Sequence, residues 1–130
     1  MKEAEFWAKM RENLPLDAMM RVENKLDPGM PDVFFMHNNN AGWIELKSEL
    51  KMPSKINYQP AQPLWLDSYW KKGGTCYTFL NIIDRKEIFI WDGNCAMDLN
   101  KIGGTTMIEP MLSVKENVTG WREIYNEIFI

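Results

Sequence analysis

Two acidic side chains and one basic side chain, Asp32, Glu45 and Lys47, lie within sixteen residues of one another in the first half of the chain. The last two belong to Trp-Ile-Glu-Leu-Lys, a segment typical of a strand, in which alternate side chains point to opposite faces. Glu45 and Lys47 therefore share one face. Ile44 and Leu46 occupy the other face and can pack on a helix. A solvated ion pair is the simplest interpretation, but the neighbouring strands look buried, and a buried charged pair costs free energy unless it is paired or used.

A predicted hairpin brings the two acidic residues together. Residues 32–36 and 43–47 read as strands, and residues 37–42, with three asparagines, read as the loop between them. Asp32 then lies near Glu45. Two neighbouring carboxylates repel each other, and a divalent cation relieves that repulsion. Hard oxygen ligands with few filled positions favour Mg²⁺, or Mn²⁺ in its place.

A lysine beside such a cation has a defined chemistry. Lys47 can position or deprotonate an attacking water, or stabilise the negative charge that develops on a pentacovalent phosphate. The pattern therefore predicts the parts needed to hydrolyse a phosphodiester.

Hydrophobic periodicity and turn residues predict the elements that would position these side chains. The expected fold class is α/β (or α+β), with a central mixed sheet flanked by helices. Pro15 and Gly73-Gly74 mark the ends of the first two helices. The predicted helices are residues 3–13, 60–72 and 115–129, and the further strands are 19–22, 75–83, 87–91 and, more weakly, 106–108.

Length and composition predict one globular domain. The chain has 130 residues, of which 45% are hydrophobic and 25% charged. It shows no apolar signal region and no stretch of about 20 apolar residues, so we expect a cytoplasmic protein. Two cysteines, Cys76 and Cys95, are too few for a disulfide framework or a cysteine-built zinc site, and we expect both to be reduced.

The charge is unevenly distributed. The net charge is −3, which argues against binding to nucleic acid by bulk charge. Residues 47–72, however, hold five lysines against two acidic residues. This segment is either a solvated face or a phosphate-binding surface, and its candidate DNA contacts are Lys51, Lys55, Lys71 and Lys72.

The same residues resemble a known nuclease signature. Pro31-Asp32, twelve intervening residues and then Glu45-Leu46-Lys47 resemble the motif of the PD-(D/E)XK nucleases. Four segments together resemble the VRR-NUC group and small phage-encoded proteins near it, some of which act alone as Holliday junction resolvases. These segments are Arg21-Val22-Glu23-Asn24, Gly29-Met30-Pro31-Asp32-Val33, Gly42-Trp43-Ile44-Glu45-Leu46-Lys47 and Gln62-Pro63-Leu64-Trp65.

The resemblance covers about residues 1–92 and implies a restriction-endonuclease-like αβββαβ core, in the cytoplasm of a bacterium or a phage-infected cell. It implies that Asp32, Glu45 and the Leu46 carbonyl bind the metal, and that Lys47 is the catalytic lysine. Gln62 would face the active site. A hydrogen bond at the start of the second helix is the other interpretation of Gln62.

The resemblance leaves other residues open. Glu23 would support the metal, or would form an ion pair with Arg21 or Lys25. The first helix of the family often supplies a glutamate, for which the candidates are Glu3, Glu5 and Glu12. For His37, in the asparagine-rich loop, we expect a solvated side chain.

The leading hypothesis is a Mg²⁺-dependent DNA endonuclease, with Holliday junction resolution as one specific form. Two symmetric cuts would require a homodimer with two-fold symmetry. The apolar stripe of the last helix, from Trp121 to Ile128, either forms that interface or closes the core. The alternatives are a catalytically silent module that binds DNA or protein, and a nicking or restriction-type endonuclease.

Overall fold

A six-stranded mixed sheet forms the centre of the molecule. The structure is a computed structural model that describes residues 3–23 and 27–130, so Asn24 and Lys25 lie outside the described residues. The strands follow one another across the sheet in chain order, and only the third and fourth run parallel. They are β1 (Ala18–Arg21), β2 (Val33–His37), β3 (Asn40–Glu49), β4 (Thr75–Ile82), β5 (Glu87–Asp92) and β6 (Leu112–Lys115).

Helices cover both faces of this sheet, which confirms the predicted fold class. The first and last helices pack on one face, and the second and third pack on the other. Within the described ranges, no helix has the length and apolar character that a membrane crossing requires. The helices are α1 (Glu3–Asn13), α2 (Gln62–Lys71), α3 (Ala96–Leu99), α4 (Gly104–Met107) and α5 (Val118–Ile124), which continues as a wider turn through Tyr125–Phe129.

The hairpin between β2 and β3 is tighter than the sequence predicts. Residues 37 and 40 already pair with each other, so the loop consists of Asn38 and Asn39 alone. Both have positive φ, at 50° and 65°. Asparagine tolerates this left-handed conformation, and such a two-residue turn matches the twist of the strands.

The predicted strand at residues 106–108 is wrong. Gly104–Met107 forms the helical turn α4, and Gly103, with φ of 83°, precedes it. The edge strand lies further along the chain, where β6 pairs antiparallel with β5. β-branched residues favoured a strand at the earlier position, but the glycine turn and the packing of α4 on α3 override that local preference.

Helix α5 closes the core. Trp121 and Ile124 are buried against the sheet, and the Trp121 ring lies 6.0 Å from the ring of Phe6 in α1. Val118, the first residue of α5, is 65% exposed. The buried side chains of Trp121 and Ile124 pack within one chain and are therefore not available for a subunit interface.

His37 is buried, so the prediction of a solvated loop histidine is wrong. It ends β2, its Nε2 lies 2.8 Å from the hydroxyl of Tyr125, and its Nδ1 accepts a hydrogen bond from the backbone of Asp17 across 3.2 Å. The shorter hairpin explains the difference, because the histidine belongs to the strand. It has a structural role that ties β2 to the C-terminal helix.

Candidate active site

Asp32, directly before β2, and Glu45, within β3, lie side by side. The Asp32 amide donates a hydrogen bond to Oε1 of Glu45 across 3.2 Å, and the Leu46 amide donates to Oδ2 of Asp32 across 3.2 Å. Each carboxylate therefore accepts a hydrogen bond from the other segment's backbone. These reciprocal bonds fix both acidic side chains at one point, as the hairpin predicts.

The backbone carbonyl of Leu46 faces the strand edge that carries Asp32. The N–H and C=O of one strand residue face the same edge of the strand, and the Leu46 N–H faces Asp32. Pairing between β2 and β3 stops at Val33 and Ile44. The Leu46 carbonyl therefore lies beyond the paired region, on the edge that carries Asp32.

Lys47 is buried beside Glu45 on the predicted shared face. Its Nζ lies 3.2 Å from Oε2 of Glu45, and the two side chains are only 11% and 2% exposed. The ammonium also donates to the carbonyl of Asn57 across 3.0 Å and lies 5.6 Å from the ring centre of Tyr58. A charge so enclosed needs these partners, because an unpaired buried ammonium is costly.

Gly29 explains why the turn before Asp32 packs so closely on α2. A Cβ at this position would lie 2.9 Å from both the Ala61 carbonyl and the Cβ of Trp65. Any larger residue would push the turn away from the helix. The glycine of the sequence motif therefore helps to set the position of Asp32.

Gln62 is buried at the start of α2 and is 2% exposed. Its Oε1 accepts a hydrogen bond from the backbone amide of Gln59 across 2.9 Å. This is the helix-start hydrogen bond that the sequence left as an alternative. Pro63 follows within the first turn, where its missing N–H costs nothing.

Glu3 is the glutamate of α1 that the structure places near the site. Burial raises the pKa of Glu3, the charge of Lys47 opposes this effect, and the charge of Asp32 adds to it. Glu5 and Glu12 are exposed. Three glutamates were open from the sequence, and the electrostatic environment of Glu3 distinguishes it from the other two.

A signal for Glu3 was present in the helical spacing. Phe6 and Met10 are fully buried against the sheet, and Glu3 precedes Phe6 by three residues, which puts it on the same side of the helix. Arg21, at the end of β1, also influences the Glu3 carboxylate. The sequence suggested Arg21 only as an ion-pair partner of Glu23.

Glu23 lies near the site in the chain but outside the contacts that define it. The backbone of Val22 donates to the Asp32 carbonyl across 2.8 Å, so Glu23 follows directly on this pairing. Its side chain is exposed. Within residues 3–23 and 27–130, no hydrogen bond or ion pair links Glu23 to Asp32 or Glu45.

The candidate DNA-binding lysines are all exposed, but two of them have acidic neighbours. Lys51 lies 3.4 Å from Asp84, and Lys71 lies 2.9 Å from Asp67 one helical turn away. The Lys51–Asp84 pair is exposed on both sides and contributes little free energy, whereas Asp67 is largely buried. The four exposed residues are Lys51, Lys55, Lys71 and Lys72.

These lysines belong to two separate regions. Lys51 contacts Asp84, which follows the end of β4. Lys71 and Lys72 precede the start of that strand at Thr75. The eight residues of β4, at about 3.3 Å each, separate the two regions by roughly 25 Å.

The donor atoms suit a hard divalent cation. Two carboxylates and a backbone carbonyl are oxygen ligands, and Mg²⁺ commonly binds through one or two carboxylates while water fills its other positions. Within the described residues, no three acidic, histidine or cysteine side chains converge into a fuller cage. Asp32, Glu45 and Leu46 therefore fit a partly hydrated Mg²⁺ or Mn²⁺.

Comparison with known proteins supports the fold. No protein-family model matches the sequence, and no curated protein matches it. A solved structure of Hjc, a Holliday junction resolvase from the archaeal hyperthermophile Archaeoglobus fulgidus, is similar, with a TM-score of 0.50 and 16% sequence identity. The match covers 93% of this chain and 88% of that one. At this identity the likeness concerns architecture, and the chain has the α/β fold of a Holliday junction resolvase.

Proposed function

We propose that the protein is a divalent-metal-dependent nuclease that hydrolyses the phosphodiester backbone of DNA. The observation that carries this proposal is the convergence of Asp32, Glu45 and Lys47 at one point of a resolvase-like sheet. Lys47 and Glu45 are buried together, and Asp32 is hydrogen-bonded into the same cluster. A surface ion pair, the simplest interpretation from the sequence, does not require this burial.

Asp32, Glu45 and the Leu46 carbonyl would hold Mg²⁺ or Mn²⁺. When bound, the cation would polarise a phosphate oxygen and make bound water more acidic. The task of Lys47 is to orient the attacking water or to stabilise charge on the phosphate. Glu45 holds the Lys47 ammonium in place, since the two atoms lie 3.2 Å apart.

Glu3 is a further acidic group for this site. Its carboxylate interacts with the charges of Lys47 and Asp32, and burial favours its protonated form. We propose that Glu3 helps to hold a water molecule or the metal at the edge of the cluster. Glu23 has a weaker claim to that task, because its side chain is exposed.

A branched DNA is the substrate that the fold favours among DNA structures. The similar solved structure is that of a Holliday junction resolvase. Two symmetric strand cuts need two active sites, and a homodimer with two-fold symmetry supplies them. We therefore propose a homodimeric resolvase as the specific form of the nuclease.

Two alternatives compete with this proposal. A catalytically silent module would bind DNA or protein through the same fold, and the buried Lys47–Glu45 pair argues against it because binding alone does not need that pair. A nicking or restriction-type endonuclease would use the same chemistry on duplex DNA. Selectivity of this kind depends on loops and subunit geometry.

The test is cleavage of a panel of end-labelled DNAs with and without Mg²⁺. The panel contains a four-way junction, a flap, a nicked duplex, a linear duplex and a single strand. We expect metal-dependent paired cuts in the junction, and their loss in Asp32→Asn. Asp98→Asn is the matched control, because Asp98 is exposed and its carboxylate lies beside Lys101.

Absence of cleavage of every substrate by the folded wild-type protein, in Mg²⁺ and in Mn²⁺, would refute the nuclease proposal. Cleavage of linear duplex in preference to the junction would refute the resolvase form only. Equal cleavage by wild type and Asp32→Asn would remove the proposed site.

A further inference from the structure

We infer that residues 53–59, here called the strap, position Lys47 for the reaction, and that the turns around Leu99 and Thr105 hold the strap in place. The inference rests on the proposed function only for the role of Lys47. The contacts that support it belong to the folded chain.

The strap touches Lys47 from the side opposite the sheet. The Asn57 carbonyl accepts a hydrogen bond from Nζ across 3.0 Å, and the Tyr58 ring centre lies 5.6 Å from the same atom. A lysine side chain has four rotatable bonds and loses entropy when it is fixed. Glu45 restrains the ammonium on one side, and the strap restrains it on the other.

An ammonium has three N–H donors. Glu45 and the Asn57 carbonyl account for two of them. These two contacts fix the orientation of the ammonium and therefore the direction of its third N–H. Since the side chain of Lys47 retains 11% exposure, that donor can reach a water or a phosphate oxygen at the mouth of the site.

Tyr58 fixes the strap to the sheet beside Glu45. Its hydroxyl lies 2.7 Å from Oγ1 of Thr78, and Thr78 pairs in register with Glu45. Burial raises the pKa of Tyr58 well above its usual range, so the phenol stays neutral while its hydroxyl shares this hydrogen bond with Thr78. The ring that faces Lys47 is therefore held in a fixed position.

Gln62 fixes the C-terminal end of the strap. Its buried amide oxygen accepts from the backbone amide of Gln59 across 2.9 Å. This bond joins the strap to the first turn of α2. Gln62 therefore acts on Lys47 through the strap, as a positioning residue.

The N-terminal end of the strap is fixed by the segment that contains α3 and α4. Ile56 donates through its backbone to the Leu99 carbonyl across 2.8 Å, and Gly103 donates to Oγ of Ser54 across 2.7 Å. The Thr105 hydroxyl donates to the Ser54 carbonyl across 3.1 Å and also contacts the carbonyl of Pro53.

This arrangement gives residues 93–108 a role in positioning Lys47. Residues 93–108 lie outside the resemblance noted in the sequence, and they carry none of the proposed metal ligands. Through the strap they act on Lys47. The geometry at a catalytic group can change rates strongly, because a displacement of about 1 Å can cost on the order of 10² in rate.

The experiment compares Thr105→Val with Thr106→Val. Valine keeps the branched shape of threonine and removes the hydroxyl. Thr105 is buried and bonded to the strap, whereas Thr106 is its exposed neighbour. The first readout is the rate of amine labelling at individual lysines, measured by mass spectrometry on metal-free protein.

We expect Thr105→Val to label Lys47 several-fold faster than wild type while Lys71 labels at an unchanged rate. The second readout is single-turnover cleavage and KM. We expect kcat to fall about tenfold or more with KM unchanged, because substrate binding does not depend on the angle of one ammonium. Thr106→Val should match wild type in both readouts.

A second pair of variants covers the case in which Thr105→Val does not fold. Tyr58→Phe keeps the ring against Lys47, and Tyr58→Leu removes it. We expect Phe, which keeps the ring but lacks the hydroxyl bond to Thr78, to lose part of the protection of Lys47 and part of kcat, and Leu to lose more of both.

Unchanged labelling of Lys47 in folded Thr105→Val, or in folded Tyr58→Leu, would overturn the inference. A change in KM with kcat intact would also overturn it, since the strap would then contact DNA. Labelling is measured without metal or DNA. An inactive wild type therefore refutes the nuclease proposal but leaves the labelling test of the strap in force.

Discussion

Asp32 and Glu45 are joined through the backbone, since the amide of Asp32 donates to Oε1 of Glu45 across 3.2 Å. The pairing register of β2 and β3 thereby sets the separation of the two acidic side chains. A slip of one residue would turn one of the side chains to the opposite face of the sheet. The tight turn at Asn38 and Asn39, which fixes this register, is therefore part of what builds the site.

Metal binding should depend on Asp32. In titration calorimetry we expect Mg²⁺ and Mn²⁺ to bind the wild type and to give no heat of binding with Asp32→Asn, because a neutral amide replaces one of the two carboxylates. The resemblance to the nuclease superfamily further implies that Ca²⁺ binds without supporting cleavage. Glu23→Gln should weaken binding less, since Glu23 is exposed. Undiminished binding by Asp32→Asn would remove this metal site.

Lys47→Ala should act mainly on turnover. Loss of one charge-stabilising donor typically lowers the rate by on the order of 10²–10³, and affinity for DNA should survive because one lysine among several contributes little. Single-turnover cleavage beside a binding titration measures both quantities. Lys101→Ala, an exposed control, should leave both unchanged. Cleavage by Lys47→Ala at the wild-type rate would show that Lys47 takes no part in the reaction.

The same substitution should also lower stability, because it leaves Glu45 buried without its ammonium partner. Removal of one member of a buried pair costs roughly 3–5 kcal/mol. We expect a smaller loss here, since the Asp32 amide still donates to Glu45. Urea unfolding of metal-free protein measures the change, and saturating Mg²⁺ should recover part of it. Equal stability of wild type and Lys47→Ala would show that the pair contributes no net stability.

DNA contact should depend on the lysines nearest the site. Replacing Lys51 and Lys55 together by alanine should weaken binding and reduce its salt dependence by roughly one unit of slope per lost contact. Lys71 and Lys72, at the far end of β4, give the matched double variant. Their replacement should change the slope less unless the DNA extends along that strand. An unchanged slope in the first variant would show that its lysines form only a solvated surface.

Stability should vary with pH through Glu3. The folded-state pKa of Glu3 is raised above its ordinary value of 4.5, chiefly by burial. Its contribution is therefore fully present below pH 4.5 and is lost as pH rises through the folded pKa. Relative to Glu3→Gln, metal-free wild type should be most stable at low pH and should lose that advantage on the way to neutrality. Unfolding measured across this range, with exposed Glu12→Gln as control, tests the sign.

The hairpin and the cluster at its end were predictable because their determinants are local. Alternation along Trp43–Lys47 gives the faces, and asparagine in the turn gives the reversal. Together they bring Asp32 to Glu45 with no information from elsewhere in the chain. The packing of Gly29 on α2 is a contact between distant segments. The sequence motif contains this glycine but does not show which helix it packs on.

Other parts depend on contacts between distant segments. The burial of His37 needs Tyr125, and α4 replaces the predicted strand because of its glycine turn and its neighbours. The strap shows no regular hydrophobic periodicity in the sequence, yet Ile56 and Tyr58 within it are buried. Periodicity over a few residues carries no information about such tertiary contacts.

The parallel pairing of β3 and β4 has a consequence for the order in which the site is built. The hairpin that carries Asp32 and Glu45 closes over a short loop, so its formation costs little chain entropy. The strap lies in the long crossover to β4 and is tied to Leu99 and Thr105, so it closes only after much of the later chain is in place. We therefore expect the acidic residues to come together before Lys47 is fixed. A chain that has not completed its fold would then hold the two carboxylates together without a properly oriented lysine.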